Sequence, residues 1–253
     1  MIFYYSATGN TRYAAHTASI MLGEDVYDII KDSKRLPDVS GEKMLGFLFP
    51  IYCWGIPPVM RAFIEKLLSE IPADTYVWAI CTCGDEAGIA MRQFNKLSEK
   101  KRGRGADAVF SLIMPNTYVL LPGFDVDSPE IEKTKLKNAP ERLKKIISVI
   151  QSGSTGIFDV HEGSLPSLRT RLLYPLFVRY GVFTKYWHVS DKCISCGKCK
   201  AICPAENIDL QNGKPVWGNT CYSCCSCFHI CPEKAISYGS VTKNKSQYIC
   251  PLR

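Results

Sequence analysis

Histidine is scarce in this chain, and a long apolar run is missing altogether. The four histidines, His16, His161, His188 and His229, fall in unrelated segments. None sits in an acid–base or nucleophile constellation, so each is expected to be an ordinary structural histidine. No apolar stretch approaches the roughly 20 residues that cross a bilayer, so no transmembrane segment is expected. A β-forming run begins at Met1 itself, so no export leader is expected and the compartment is read as cytoplasmic. Basic residues are not interleaved with aromatics in the way a nucleic-acid surface requires, although the formal charge is +7.

Cysteine, by contrast, is abundant and ordered. Of thirteen cysteines, eight form two identical runs: Cys193, Cys196, Cys199, Cys203-Pro204, then Cys221, Cys224, Cys227, Cys231-Pro232. Each run reads C-x2-C-x2-C-x3-C-P, the spacing of bacterial cubane iron–sulfur sites, in which the fourth cysteine ligates the other run's cluster. The copies are offset by 28 residues, and Ile208 falls on Ile236 at the same offset. The expected ligand sets are therefore Cys193, Cys196, Cys199 and Cys231 for one 4Fe-4S cluster, and Cys203, Cys221, Cys224 and Cys227 for the other. Two residues between ligands let backbone amides turn toward the cluster sulfurs. The proline after each fourth cysteine fixes a turn there. Structural zinc uses paired knuckles, two per ion, which is a different spacing. A disulfide scaffold would need an oxidising compartment. Cys225 breaks the symmetry of the second run; it is either a spectator thiol or an alternative to Cys224. The remaining cysteines, Cys53, Cys81, Cys83 and Cys250, are scattered like reduced thiols.

The stretch from 190 to 240 resembles the two-cluster bacterial ferredoxins, which implies a small α+β domain carrying two 4Fe-4S clusters and passing single electrons.

Upstream, strand and helix signals alternate. Short β-rich apolar runs lie at Met1–Tyr5, Val26–Ile30, Met44–Phe49, Tyr76–Cys81 and Val109–Met114. Between most of them are helix-length segments such as Val59–Leu68 and Pro140–Ile150. This alternation predicts an α/β fold, a doubly wound parallel sheet whose ligands bind beyond the carboxyl ends of the strands. Three loops fall at that edge. Ser6-Ala7-Thr8-Gly9-Asn10-Thr11 offers hydroxyls, a glycine and free helix amides, either an anion site or an ordinary helix cap. It lacks the lysine of a P-loop, so a phosphate there would be held mainly by neutral donors. Pro50-Ile51-Tyr52-Cys53-Trp54-Gly55 and Cys81-Thr82-Cys83-Gly84-Asp85 follow the third and fourth strands.

These three loops resemble the phosphate loop and the two flavin-flanking loops of flavodoxins. The resemblance implies strand order 2-1-3-4-5 and flavin mononucleotide (FMN) held by Ser6, Thr8, Gly9, Asn10 and Thr11 at the phosphate. It further implies Tyr52, Trp54 and Gly55 on one side, and Cys83, Gly84 and Asp85 on the other. The bland alternative for Tyr52 and Trp54 is packing of the loop onto the core. Many flavodoxins place a second aromatic a few residues after the equivalent of Gly84-Asp85; here Glu86-Ala87-Gly88-Ile89 stands instead. That flavin face is either open or covered by Tyr118, by the ferredoxin domain, or by a second subunit in a homodimer. With two cubanes contributing about −4 and a flavin phosphate about −2, the loaded chain is close to neutral.

The expected organisation is an FMN-binding domain at 1–152, a connector at 153–187, the two-cluster domain at 188–240 and a tail at 241–253. The connector from Leu165 to Trp187 is too apolar for a flexible tether, and Pro175 is expected to kink any helix there. It is expected to pack the domains together; a membrane-surface helix or a docking face for a redox partner are the alternatives. Lys100-Lys101-Arg102-Gly103-Arg104 is expected to be a solvated helix end. The whole resembles flavodoxin–ferredoxin fusions of anaerobes. The expected function is electron transfer between two 4Fe-4S clusters, FMN and redox partner proteins. The alternative is an FMN-dependent reductase of a small acceptor such as a quinone or nitro compound.

Overall fold

Alternate residues of the first strand divide the core in two. In β1 (Ile2–Tyr4) and the residue after it, Phe3 and Tyr5 enter one hydrophobic cluster while Ile2 and Tyr4 enter another. The side-chain period of two permits this only in a sheet covered on both faces. The computed structural model describes residues 1–32, 36–180 and 183–252; the connector's 181–182 and the tail's 253 lie outside them. The strands that follow are β2 (Val26–Asp28), β3 (Met44–Pro50), β4 (Tyr76–Cys83), β5 (Ala108–Ile113) and β6 (Ile157–Asp159). They form one parallel sheet in the order β2-β1-β3-β4-β5-β6. The first five stand in the expected order. The sixth lies in the stretch read as connector, where a three-residue run is too short to signal a strand.

Helices α1 (Asn10–Leu22) and α4 (Pro129–Gln151) cover one face. Helices α2 (Pro58–Leu67) and α3 (Ala90–Arg102) cover the other, through Met60, Ile64, Met91 and Phe94. Gly46 makes room for its cross-strand neighbour: a Cβ there would stand 2.2 Å from the buried ring of Trp78, its register partner on β4. α4 starts eleven residues before the expected Pro140. Ser128 and Pro129 supply a cap and a first-turn proline, and the helix runs through Pro140 with one backbone hydrogen bond missing. The basic end of α3 is only partly solvated. Lys100 and Lys101 point outward, whereas Arg102 donates to the carbonyls of Pro72 and Thr75, and Arg104 pairs with buried Asp107.

The connector forms α5 (Pro166–Tyr180), which continues through Pro175. Its inner side buries Thr170 and Tyr174; Leu165, Leu168, Leu172, Leu173 and Leu176 remain exposed. A single 3-10 turn at Thr184–Tyr186 leads to β7 (Trp187–Val189). Then come α6 (Lys198–Ile202), β8 (Ile208–Gln211), β9 (Lys214–Trp217), α7 (Ser226–Ile230) and β10 (Ile236–Tyr238). β8 pairs with β9 and β10 with β7, both antiparallel.

The sequence duplication is a backbone duplication. α6 and α7 stand 28 residues apart, as do the starts of β8 and β10. Left-handed residues recur at the same offset: Ser195 and Ser223, Gly197 and Cys225, Glu206 and Lys234. The Asn207 amide donates to Cys203 Sγ at 3.4 Å and the Ala235 amide to Cys231 Sγ at 3.3 Å, again in register.

Candidate electron-transfer site

At the carboxyl ends of β1, β3, β4 and β5 lies an open cleft of about 670 Å³. It is lined by Ser6, Thr8, Asn10 and Thr11, by Tyr52 and Cys53, by Cys83 and Gly84, and by Asn116 and Tyr118. The Tyr52–Gly55 turn closes with two backbone hydrogen bonds, at 3.0 and 2.9 Å. Cys53 and Trp54 at its tip have φ of 47° and 60°. Two consecutive left-handed residues make a type I′ turn, and holding non-glycine residues there stores strain of a kind concentrated at functional sites. A second hollow of about 730 Å³ continues the cleft past Trp54, Asp85, Leu121 and Phe124.

The loop hydroxyls divide by role. Thr11 Oγ1 meets Thr82 Oγ1 at 2.7 Å. The Asn10 amide donates to the Pro115 carbonyl at 2.9 Å, and its oxygen accepts from the Tyr248 hydroxyl at 2.7 Å. Those two side chains are spent on shaping the loop. Ser6 Oγ is buried with no partner, the condition expected of a donor that awaits an anion. Gly9 and Gly55 do not line the cleft. Gly9, at φ 102°, lets the tail approach, since a Cβ there would stand 3.0 Å from that of Cys250. Gly55 lies beneath the Tyr174 ring.

Trp54 is pinned rather than free. Its indole donates to Glu86 at 3.1 Å, and Arg169, which also pairs with Glu86, lies 5.2 Å over the ring. Thr170 of α5 donates to the Trp54 carbonyl at 2.8 Å and accepts from the Ile89 amide. Asn116 and Lys135 both donate to Asp85. Burial would raise the Asp85 carboxyl, but these hydrogen bonds outweigh it and hold the group below the ordinary carboxylate value. Tyr5 and Tyr52 share a hydroxyl contact of 3.1 Å, and burial pushes both phenols well up.

The cysteines gather into two cavities. Cys193, Cys196, Cys199 and Cys231 line one of about 370 Å³. Cys203, Cys221, Cys224 and Cys227 line another of about 310 Å³, with Cys225 beside them. Each fourth cysteine thus faces the other run's cavity. Among the described residues no three His, Cys, Asp or Glu side chains converge as they would on a single metal ion. Thiols spread around a cavity instead suit a multi-iron cluster. Trp187 and Trp217 stack at 5.7 Å and line the second cavity, their buried indole nitrogens without a close hydrogen bond but beside the Cys221 and Cys227 thiols. Two buried N–H donors aimed at thiols fit a group with electron-rich sulfurs. Burial pushes the Cys224 thiol up to about 11, the Ser226 hydroxyl and amide pulling it only partly back. Cys225 caps α7 in the left-handed conformation that Gly197 holds in the first copy, its thiol toward the Ser223 carbonyl at 3.6 Å.

The ferredoxin-spaced segment is seated on the sheet. His229, 4% exposed, approaches the Thr117 carbonyl through Nε2 at 2.7 Å and accepts from the Tyr248 amide through Nδ1 at 3.1 Å. The proton must therefore sit on Nε2. Burial pushes the imidazole down to about 4, which the Thr117 carbonyl only partly offsets. Ser226 donates to the Ala7 carbonyl at 3.0 Å and the Cys250 amide to the Thr8 carbonyl at 2.9 Å. Val119 and Leu120, from the loop after β5, enter the segment's small core with Trp187 and Phe228.

Residues 186–209 match the family described as a 4Fe-4S binding domain. The chain is 63% identical over 27 residues to Ferredoxin-2 of Desulfomicrobium norvegicum, a match covering 11% of this chain and 46%, about half, of that protein. The chain joins a 4Fe-4S ferredoxin segment to a flavodoxin-like sheet. Its strand order carries the second half of that statement. Among solved structures it is similar to a Fusobacterium nucleatum flavodoxin bound to flavin mononucleotide (15% identity, TM-score 0.42, 61% of this chain and 97% of that one). It is also similar to a putative flavoprotein of Bacteroides uniformis (19% identity, TM-score 0.32, 45% and 90%). The matched segment is of the kind described as binding a 4Fe-4S cluster. No helix among the described residues is long and apolar enough to cross a membrane.

Several residues reach the cleft that the sequence did not place there. Phe177 reaches the cleft from α5, and Ser223, Cys224 and Cys225 reach it from the ferredoxin segment. Behind the cleft, Tyr248 and Cys250 of the tail brace the Ser6–Thr11 loop through Asn10 and the Thr8 carbonyl. No local motif marks such residues, because they arrive by tertiary packing.

Proposed function

We propose that the chain passes electrons between two 4Fe-4S clusters and FMN, and exchanges them with redox partner proteins. The observation that carries this is the placement of two four-cysteine cavities and one strand-edge cleft in a single molecule, the cleft and the second cavity sharing Cys224 and Cys225 as a wall. The clusters supply one-electron chemistry and FMN one- or two-electron chemistry when bound. The chain's own contribution is to hold each group and to exclude water between them. Ser6 and the free amides at the start of α1 would meet the phosphate. Tyr52, Trp54, Gly84 and Tyr118 would bound the ring system. The domain division at 152, 187 and 240 belongs to this proposal, with β6 added to the sheet from the connector. The experiment is anaerobic reconstitution and analysis: about eight iron, eight sulfide and one FMN per chain support it. About four iron would mean that one set of cysteines is empty.

A reductase of a small planar acceptor is the second reading. The hollow beyond Trp54, walled by Leu121, Phe124 and Phe177, favours it. Saturable turnover of a quinone or nitro compound, faster than free FMN under the same reductant, would replace the carrier reading.

A further inference from the structure

The two cysteine cavities are not equivalent neighbours of the cleft. Cys224 and Cys225 line both the cleft and the second cavity, so one strip of backbone is the common wall. The residues of that strip are anchored on the cleft side, through Ser226 to the Ala7 carbonyl and His229 to the Thr117 carbonyl. The first cavity is lined entirely by residues between 193 and 236 and shares none with the cleft. It lies outward: Cys196 is exposed and Ile194 is 61% exposed.

Their surroundings differ as well. The second cavity has the Trp187 and Trp217 indoles, whose buried N–H groups lie beside the Cys221 and Cys227 thiols. The first cavity has no indole: Ile194, Leu210, Pro215 and Ile236 line it, and its side-chain donors are those of Ser195 and Lys198, both exposed to water. Hydrogen bonds to cluster sulfurs stabilise the more negative, reduced state and raise the reduction potential.

We propose that the second cysteine set holds the centre coupled to the flavin cleft, with Trp187 and Trp217 as the residues that set its potential, while the first set holds the outer centre. This rests on the proposed function, since it requires FMN in the cleft and a cluster in each cavity. The coupling is electrostatic as well as spatial. A thiolate-bound cubane carries about −2, and such a charge across one backbone wall disfavours the added negative charge of reduced flavin. The same charge in the outer cavity is more distant and screened.

The test is an anaerobic potentiometric titration of the holoprotein, following flavin absorbance and cluster electron paramagnetic resonance together. Cys221→Ala should keep about four iron and the FMN, and should shift the flavin potential upward. Cys193→Ala should also keep about four iron and leave the flavin potential where it is. Equal shifts in the two variants, or a shift confined to Cys193→Ala, would overturn the assignment. Trp217→Phe leaves every ligand in place and covers the case in which Cys221→Ala does not fold. It should lower the potential of one cluster and leave the other unmoved. Equal falls in both clusters, or no fall in either, would overturn the role given to the two indoles. Wild-type protein that takes up iron but no FMN would refute the function itself. FMN bound normally with equal shifts would refute this inference alone.

Discussion

Removing the His229 imidazole should loosen the ferredoxin segment from the sheet. The ring is buried and both nitrogens are engaged across the seam, with the Thr117 carbonyl and the Tyr248 amide. His229→Ala deletes both hydrogen bonds and strands their partners, each unsatisfied buried group costing about 1–3 kcal/mol. The expected loss is about 3 kcal/mol, which for a chain of this size lowers the thermal midpoint by roughly 6–12 °C. His229→Phe keeps the bulk and loses the same bonds, so it should fall by a comparable amount. His188, exposed on β7, is the control, and His188→Ala should stay within about 0.5 kcal/mol of the parent. The assay is anaerobic thermal unfolding of the holoprotein, followed by cluster absorbance. If His229→Phe melts with the parent, the two hydrogen bonds do not hold the seam.

Trp54→Ala should weaken FMN binding or shift the flavin potential, read by fluorescence titration and redox titration; unchanged values in both would remove Trp54 from the flavin wall. Cys225→Gly should retain about eight iron per chain and near-parental stability, because Gly197 holds the same left-handed position in the first copy; a fall to about four iron would make Cys225 a ligand. Gly88→Ala should be costly, since φ is +59° and a Cβ would stand 2.6 Å from that of Trp54 and 2.5 Å from Thr170 Oγ1. A loss of 2 kcal/mol or more is expected in urea unfolding, with FMN affinity falling alongside. Near-parental values would mean that α5 does not clamp the Trp54 turn.

The cysteine cavities were legible because a duplicated motif specifies local backbone: the left-handed residues and the short helices repeat at the same 28-residue offset as the thiols. The four inner strands were legible because buried parallel strands read as unbroken apolar runs, and the edge strand β2 because a short apolar run marks it. β6 was not, being three residues long with Phe158 and Asp159 exposed. The start of α4 was misplaced because Pro140 reads as a first-turn residue as well as Pro129 does. At the cleft, Ser6, Thr8, Tyr52, Gly84 and Tyr118 were legible from loops that follow strands. Phe177 and Ser223 were not, since their approach depends on how α5 and the ferredoxin segment settle on the sheet. The roles of Asn10 and Thr11 shifted for a related reason: Tyr248 and Thr82, distant in sequence, occupy their side chains.

Electron counting tests the central claim most directly. Anaerobic reductive titration of the reconstituted protein should consume roughly four electrons per chain, one for each cubane and two for FMN, with cluster and flavin bands bleaching in one connected titration. Uptake of about two electrons with no flavin bleaching would contradict the joining of clusters and flavin in this chain.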